Sequence, residues 1–235
     1  MYLENLCLDA GEPLELAAFW EGMLGGGRLA HGPDLVELRL DVEGGASLDL
    51  CLPRVPGGRT GPGRLLLRLA AGCEQAQERA RALGARRLGP GGGRPAATLA
   101  DPEGQPFELA PAGTGHGGVD LAAIVLESAD PGRDLAFWQW ATGWEQVDGA
   151  AATLQRRDGE GPRLTLRAEQ APKGGREKNP AHLDIRLEGE DELEAALDHA
   201  RHLGARELDH GWGPLPWRVL LDPSGNEVCL LPARS

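Results

Sequence analysis

Ala18-Phe19-Trp20 recurs as Ala136-Phe137-Trp138, 118 residues further along the chain. Leu67-Arg68-Leu69 returns as Ile185-Arg186-Leu187 at the same spacing. Leu83-Gly84-Ala85-Arg86 returns as Leu203-Gly204-Ala205-Arg206 at 120, and Asp101-Pro102-Glu103-Gly104 as Asp222-Pro223-Ser224-Gly225 at 121. Four matches in one order mark an internal repeat, and small loop insertions account for the drift. The copies divide the 235 residues into units 1–112 and 119–235. The stretch from Pro111 to Gly118 between them has the Gly-rich composition of a linker.

Each copy carries the same order of elements. The first opens with a strand near Leu3–Asp9, then a helix from Pro13 to Leu24 that ends in Gly25. Proline suits the first helical turn, and Leu14, Ala17, Ala18 and Leu24 share one face. Strands follow at Leu35–Leu40 and Ala46–Leu52. A second half repeats the scheme with a strand at Arg64–Leu69, a helix near Cys73–Leu83 and strands at Ala96–Ala100 and Pro106–Leu109. Gly84 predicts a left-handed cap on that helix. In the second copy Asp130-Pro131 starts the first helix with Asp as N-cap, and Glu190–Leu203 forms the second, capped by Gly204. The pattern is α+β, βαβββ twice in each copy. The two Asp-Pro-x-Gly segments specify type I turns and need no functional reading.

A net charge of −12 and a pI of about 5 disfavour phosphate backbones and anionic lipid heads, so neither nucleic acid nor a membrane surface is an expected partner. No run approaches the ~18 apolar residues of a membrane span. The N-terminus lacks the basic start and apolar core of a signal peptide. Cys7, Cys51, Cys73 and Cys229 form no C-x-x-C pair, which removes zinc-ribbon and thioredoxin-like readings, and none sits in a sequence setting that would activate it. The expectation is a cytoplasmic, reduced protein. The run from Gly91 to Arg94 leads into a strand and lacks G-K-[ST], so it is no phosphate loop.

The element order, the A-F-W at the end of the first helix, L-G-A after the second and D-P-x-G before the last strand together resemble the vicinal oxygen chelate superfamily. The nearest likeness is to glyoxalase-like domains of the actinobacterial type, within the glyoxalase/bleomycin-resistance group. Lys178-Asn179-Pro180-Ala181-His182-Leu183-Asp184-Ile185 is similar to the K-N-x-x-H-L-D segment of that branch, and the stretch from Asp222 to Leu230 to its D-P-x-G-N-E-F-C-L ending. The resemblance implies curved sheets of two modules each, enclosing a cavity. It leaves open whether modules pair within or across the copies. It also implies that metal-using members draw ligands from the first and last strands of each module. Those positions fall on Asn5, Asp49, Arg64 and Glu108 in the first copy, and on Ala123, Thr165, His182 and Cys229 in the second, with Cys51 and Arg167 as alternatives to Asp49 and Thr165. A guanidinium repels a metal at close range, so no cofactor is expected. Asn5, Asp49 and Glu108 are the trio that would hold a divalent metal if one were bound.

In Ala181–Leu187 alternation sets Leu183, Ile185 and Leu187 on one side and His182, Asp184 and Arg186 on the other. Histidine beside a carboxylate suits general acid/base work, with Asp184 orienting His182, and equally suits a satisfied polar network. Trp20 and Trp138 read as core. Trp212 and Trp217, in a Gly/Pro loop, read as a ligand platform or as a lid. His199 and His202 read as a solvated helix face. The leading expectation is a binder of a small, partly apolar organic molecule, in a cavity of the second copy that includes Arg186, Trp212 and Trp217. A metal-independent enzyme using His182, a metal-dependent lyase or dioxygenase, and a structural or partner-binding module are the alternatives. A homodimer is left open.

Overall fold

The structure is a computed structural model that describes residues 1–41, 47–58, 63–71, 73–88, 98–111, 118–169, 173, 178–189, 192–211 and 213–234. Four βαβββ modules follow one another. The first is β1 (Tyr2–Leu8), α1 (Pro13–Leu24), β2 (Gly27–His31), β3 (Leu35–Asp41) and β4 (Ser47–Pro53). The second is β5 (Leu65–Ala71), α2 (Cys73–Ala82), β6 (Arg86–Arg87), β7 (Thr98–Ala100) and β8 (Pro106–Pro111). The third is β9 (Val119–Ser128), α3 (Pro131–Thr142), β10 (Glu145–Gln146), β11 (Thr153–Gln155) and β12 (Arg163–Ala168). The fourth is β13 (Ala181–Arg186), α4 (Leu193–His202), β14 (Arg206–Glu207), β15 (Arg218–Leu221) and β16 (Glu227–Leu231).

Local chemistry explains the helix ends. Pro131 stands in the first turn of α3, and Asp130 accepts from Arg133 N at 3.1 Å. Glu12 gives α1 no side-chain cap. The carboxylate of Glu103 instead accepts from Gly11 N and Glu12 N at 2.6 and 2.8 Å, so a turn of the second module closes the helix start of the first. Gly84 and Gly204 follow α2 and α4 at φ 101° and 92°, as caps that a Cβ would strain.

The modules pair across the copies. The first and fourth form one eight-stranded sheet, β14-β15-β16-β13-β1-β4-β3-β2; the second and third form the other, β10-β11-β12-β9-β5-β8-β7-β6. Antiparallel pairing of β1 with β13 closes the first sheet, with Asn5 opposite Asp184, Leu6 opposite Leu183 and Cys7 opposite His182. The second closes by the same pairing of β5 with β9, Leu67 opposite Ile124. The His182 strand therefore lies against Tyr2–Leu8 and not against Leu121–Leu126.

One continuous apolar core joins both sheets and the helices between them. Leu183, Ile185 and Leu187 enter it as alternation requires, and Trp20 and Trp138 are fully buried. Trp20 Nε1 donates to Asp101 Oδ2 at 3.2 Å and Trp138 Nε1 to Asp222 Oδ2 at 3.1 Å. Each Asp also shapes its Asp-Pro-x-Gly turn: Gly104 N donates to Asp101 O at 3.0 Å and Gly225 N to Asp222 O at 2.9 Å. The repeat motifs A-F-W and D-P-x-G thus meet in space, tying a helix on one sheet to a turn that enters the last strand of the other.

The βαβββ pattern calls for a strand directly after each helix, which β2, β6, β10 and β14 supply, but the sequence set no bounds for them. All are edge or near-edge segments whose side chains face solvent, so no hydrophobic period marks them.

Two outcomes follow from this arrangement. Residues 119–235 expressed alone leave the pairing edges of β9 and β13 bare, so size-exclusion chromatography with light scattering should show a dimer or an unfolded chain, never a folded monomer. Trp138→Phe removes a donor from a buried carboxylate and should cost about 1–3 kcal/mol in urea unfolding; a cost within about 0.3 kcal/mol of zero would show that this hydrogen bond carries nothing.

Candidate functional site

The concave face of the first sheet encloses a cavity of about 770 Å³. Its walls are largely apolar, with Leu35, Val55, Pro216, Trp217, Val219 and Leu231 among them; Asn5, Cys7, Cys51, His182, Asp184 and Cys229 supply polar groups. The cavity expected of the second copy is shared: β1, β3 and β4 come from the first copy, β13, β15 and β16 from the second.

Alternation sets the polar groups on one side of their strands. Asn5, Cys7 and Asp9 leave β1 and its end on the same face, and antiparallel register puts them beside Asp184, His182 and Pro180. Asp184 is the hub. Its Oδ2 accepts from Asn5 Nδ2 at 3.0 Å and from Cys7 Sγ at 3.2 Å, and its Oδ1 lies 3.4 Å from His182 Nε2. Cys51 is the register neighbour of Cys7 on β4, and Cys229 that of Asp184 on β16.

Burial, the largest influence on His182, favours the neutral ring; Cys229 once ionised, and the hydrogen bond and charge of Asp184, outweigh it and raise the imidazole well above its ordinary pKa. Burial likewise favours protonated Asp184, but His182, Asn5 and Cys7 overcome it and hold the carboxyl below its usual range. The result is a buried imidazolium–carboxylate pair. Hydrogen bonding to Cys51, then burial and the Asp184 charge push the Cys7 thiol well up. Burial raises Cys229 despite the adjacent imidazolium, so both thiols are neutral near pH 7. The sequence showed no electropositive setting for any cysteine. The structure builds one for Cys229 out of His182, a residue on another strand.

The remaining sequence-derived residues fall as follows. Arg186 lines the cavity with its donors engaged: Nε and Nη2 bind Glu4, and Nη1 donates to Pro232 O at 2.8 Å. Trp217 is half-buried and packs with Val219, Cys229 and Leu231 on the cavity wall. Trp212 and Gly91–Arg94 lie outside the described residues. The trio Asn5, Asp49 and Glu108 is not one site. Asn5 and Asp49 belong to the first sheet and Glu108 to the second; Asp49 takes Arg39 at 2.8 and 2.9 Å, and Glu108 takes Arg68 at 3.0 Å.

Arg64 is also not the counterpart of His182. Its carbonyl accepts from Glu127 N at 2.8 Å as Pro180 O accepts from Asp9 N at 2.9 Å, so Arg64 matches Pro180, and Leu66 matches His182. Likewise Cys7 pairs with Cys51 where Val125 pairs with Thr165, so Thr165 matches Cys51 rather than Asp49. A slip of two residues preserves the in–out alternation of a strand, so a sequence pattern cannot detect it. At the corresponding place the second sheet carries Leu66, Ala123 and Val125 as a small apolar cluster, flanked by the Arg68–Glu108 ion pair.

The sequence matches the family profile described as Glyoxalase-like domain over residues 5–110 and 123–231. The chain belongs to that family. Comparison with curated protein sequences yields no match. Among solved structures, glyoxalase I from Zea mays is similar at a TM-score of 0.61 and 18% identity, over 98% of this chain and 92% of that one. A Bacillus subtilis protein proposed to be a dioxygenase is similar at 0.57 and 16%, over 99% and 85%. At such identities the likeness is one of fold. Among the described residues no helix of this glyoxalase-like protein is long and apolar enough to cross a membrane.

The family implies a metal as one use of this cavity. Its expected hard-ligand trio does not fit, as shown above. A different set does: one donor atom each from Cys7, His182 and Asp184 lie within 4.8 Å of one another. Two buried atoms there, His182 Nδ1 and Asp184 Oδ1, have no hydrogen-bond partner.

The metal-free protein gives a pH test. The contribution of raised His182 is complete below about 6.5, the unfolded value, and is lost as pH rises through the folded pKa; that of lowered Asp184 is present above about 3.9 and is lost as pH falls through its folded pKa. In EDTA, the His182 ring signals in NMR should therefore keep the protonated shift through pH 7 and convert only at higher pH. A neutral ring at pH 7 would contradict the ion pair.

Proposed function

We propose that this protein binds a small, partly apolar organic molecule in the cavity shared by the first and fourth modules. The observation that carries this reading is the cavity itself. Its volume, about 770 Å³, lies in the range of small-molecule sites, and its apolar walls with a few convergent polar groups have their usual composition. Trp217 offers a flat wall, and the His182 imidazolium offers a fixed donor to a ligand carbonyl or carboxylate. A ring held protonated is a poor general base at neutral pH, so the metal-independent enzyme reading reduces to His182 as proton donor.

Aromatic or polycyclic ligands from a broad screen should quench tryptophan fluorescence and raise the melting temperature. Trp217→Ala should abolish that binding while the circular dichroism spectrum persists. His182→Ala should weaken it by about tenfold or less, ~1.4 kcal/mol, if the ring only hydrogen-bonds the ligand. Turnover of a ligand that falls ~100-fold or more in His182→Ala with binding retained would instead establish acid catalysis. A screen without hits would leave a structural module.

A further inference from the structure

We propose that the organic ligand of this cavity is an amphiphilic cation, an aromatic body carrying an amine or quaternary ammonium at its far end, and that Glu37 is the side chain that selects it. The inference narrows the organic-ligand reading above and rests on it. Four acids line the cavity: Asp9, Glu37, Asp184 and Glu227. Lys178 binds Asp9, His182 faces Asp184, and Glu227 accepts from Asn179 N at 3.0 Å and lies 3.8 Å from Lys173 Nζ. Glu37 makes neither an ion pair nor a hydrogen bond among the described residues. The other basic groups of the lining offer it nothing. Arg54 binds Glu12, Arg186 binds Glu4, and His210 has an interaction of its own. With these pairs closed, the cavity keeps one uncompensated carboxylate.

Alternation along β3 fixes where that carboxylate stands. Val36, Leu38 and Leu40 enter the core, so Leu35, Glu37 and Arg39 take the concave face. Arg39, two residues on, commits Nε and Nη2 to Asp49. Across the ladder Glu37 meets Cys51, which brings no positive charge. A ligand that fills the cavity strips water from Glu37. Covering a lone carboxylate is unfavourable unless the covering group is cationic, so an uncharged or anionic group at this end loses affinity and an ammonium gains it. Trp217, with Val219 and Leu231, stands at the other side of the sheet: β16, β13, β1 and β4 lie between β15 and β3. The apolar wall and the free carboxylate therefore face the two ends of an extended ligand. A net charge of −12 draws such a cation toward the protein from solution.

The test is isothermal titration calorimetry on the full chain, reduced and in EDTA, with three matched probes. Each is naphthalene on an alkyl chain that ends in trimethylammonium, in its uncharged tert-butyl isostere or in a carboxylate. The ammonium probe should bind at least about fivefold more tightly than the isostere, the ratio of a solvent-accessible ion pair at its strongest. The carboxylate probe should bind most weakly, and added salt should shrink the differences. Glu37→Gln should erase the preference at an unchanged melting temperature. Glu37→Lys should transfer it to the carboxylate probe. Asp148→Asn removes an exposed charge remote from the cavity and should leave the preference intact, which separates pairing at Glu37 from the charge of the whole protein. Trp217→Ala should weaken the ammonium and tert-butyl probes alike. A preference below about fivefold, or one that Glu37→Gln leaves intact, overturns the inference and keeps the organic-ligand reading. If none of the three probes binds, the inference falls, and the broad screen alone decides the reading beneath it.

Discussion

Antiparallel pairing of β1 with β13 is the constraint on which the site depends. It is the only place where the first copy's opening strand and the second copy's His182 strand come into register among the described residues, and it sets Cys7 against His182 and Asn5 against Asp184. A shift of one residue would turn Asn5 and Cys7 into the core and Leu6 into the cavity. Leu6, Leu183 and Ile185 are all buried to 1% exposure or less, so the register is held by the apolar side and the polar side inherits its alignment.

The two halves of each copy are bound to one another differently from the way they are bound to the other copy. Within a copy, a buried indole donates to a buried aspartate that also forms the Asp-Pro-x-Gly turn. Between copies, backbone ladders join β1 to β13 and β5 to β9. The first kind of contact holds helix to turn through the core; the second closes each sheet. Neither copy satisfies both alone, which makes the pair of copies the unit that buries a complete core.

The sheets have diverged on their concave faces while keeping the same scaffold. In the second sheet Leu66, Ala123 and Val125 stand where the first has His182, Asn5 and Cys7, and Glu108 pairs with Arg68 where Cys229 neighbours Asp184. Apolar contacts and a satisfied ion pair make that face self-sufficient. The first face keeps a buried charge pair, neutral thiols and two buried atoms that make no hydrogen bond, a costly arrangement for folding alone and a serviceable one for holding a ligand.

Much of the fold was legible without coordinates. The repeat, the βαβββ order, the helix caps at Gly84 and Gly204 and the burial of Trp20 and Trp138 rest on local signals: spacing, turn chemistry and hydrophobic period. The alternation of Ala181–Leu187 also placed His182, Asp184 and Arg186 on the cavity face. Other features were out of reach because they depend on which strand lies next to which. Hydrogen-bonded pairing brings together residues far apart in the chain, 179 positions for Asn5 and Asp184, and no local period encodes such a neighbour. That is why Cys7, Cys51 and Cys229 showed no common setting in the sequence, and why Arg64 was matched to His182 two residues out of place. By itself the sequence determined that there are four modules and which face of each strand is polar, since both follow from short-range sterics and hydrophobic burial. Only the tertiary structure decided that the first and fourth modules share a sheet, and so which polar faces meet, because that choice is made by edge-to-edge pairing between strands far apart in the chain.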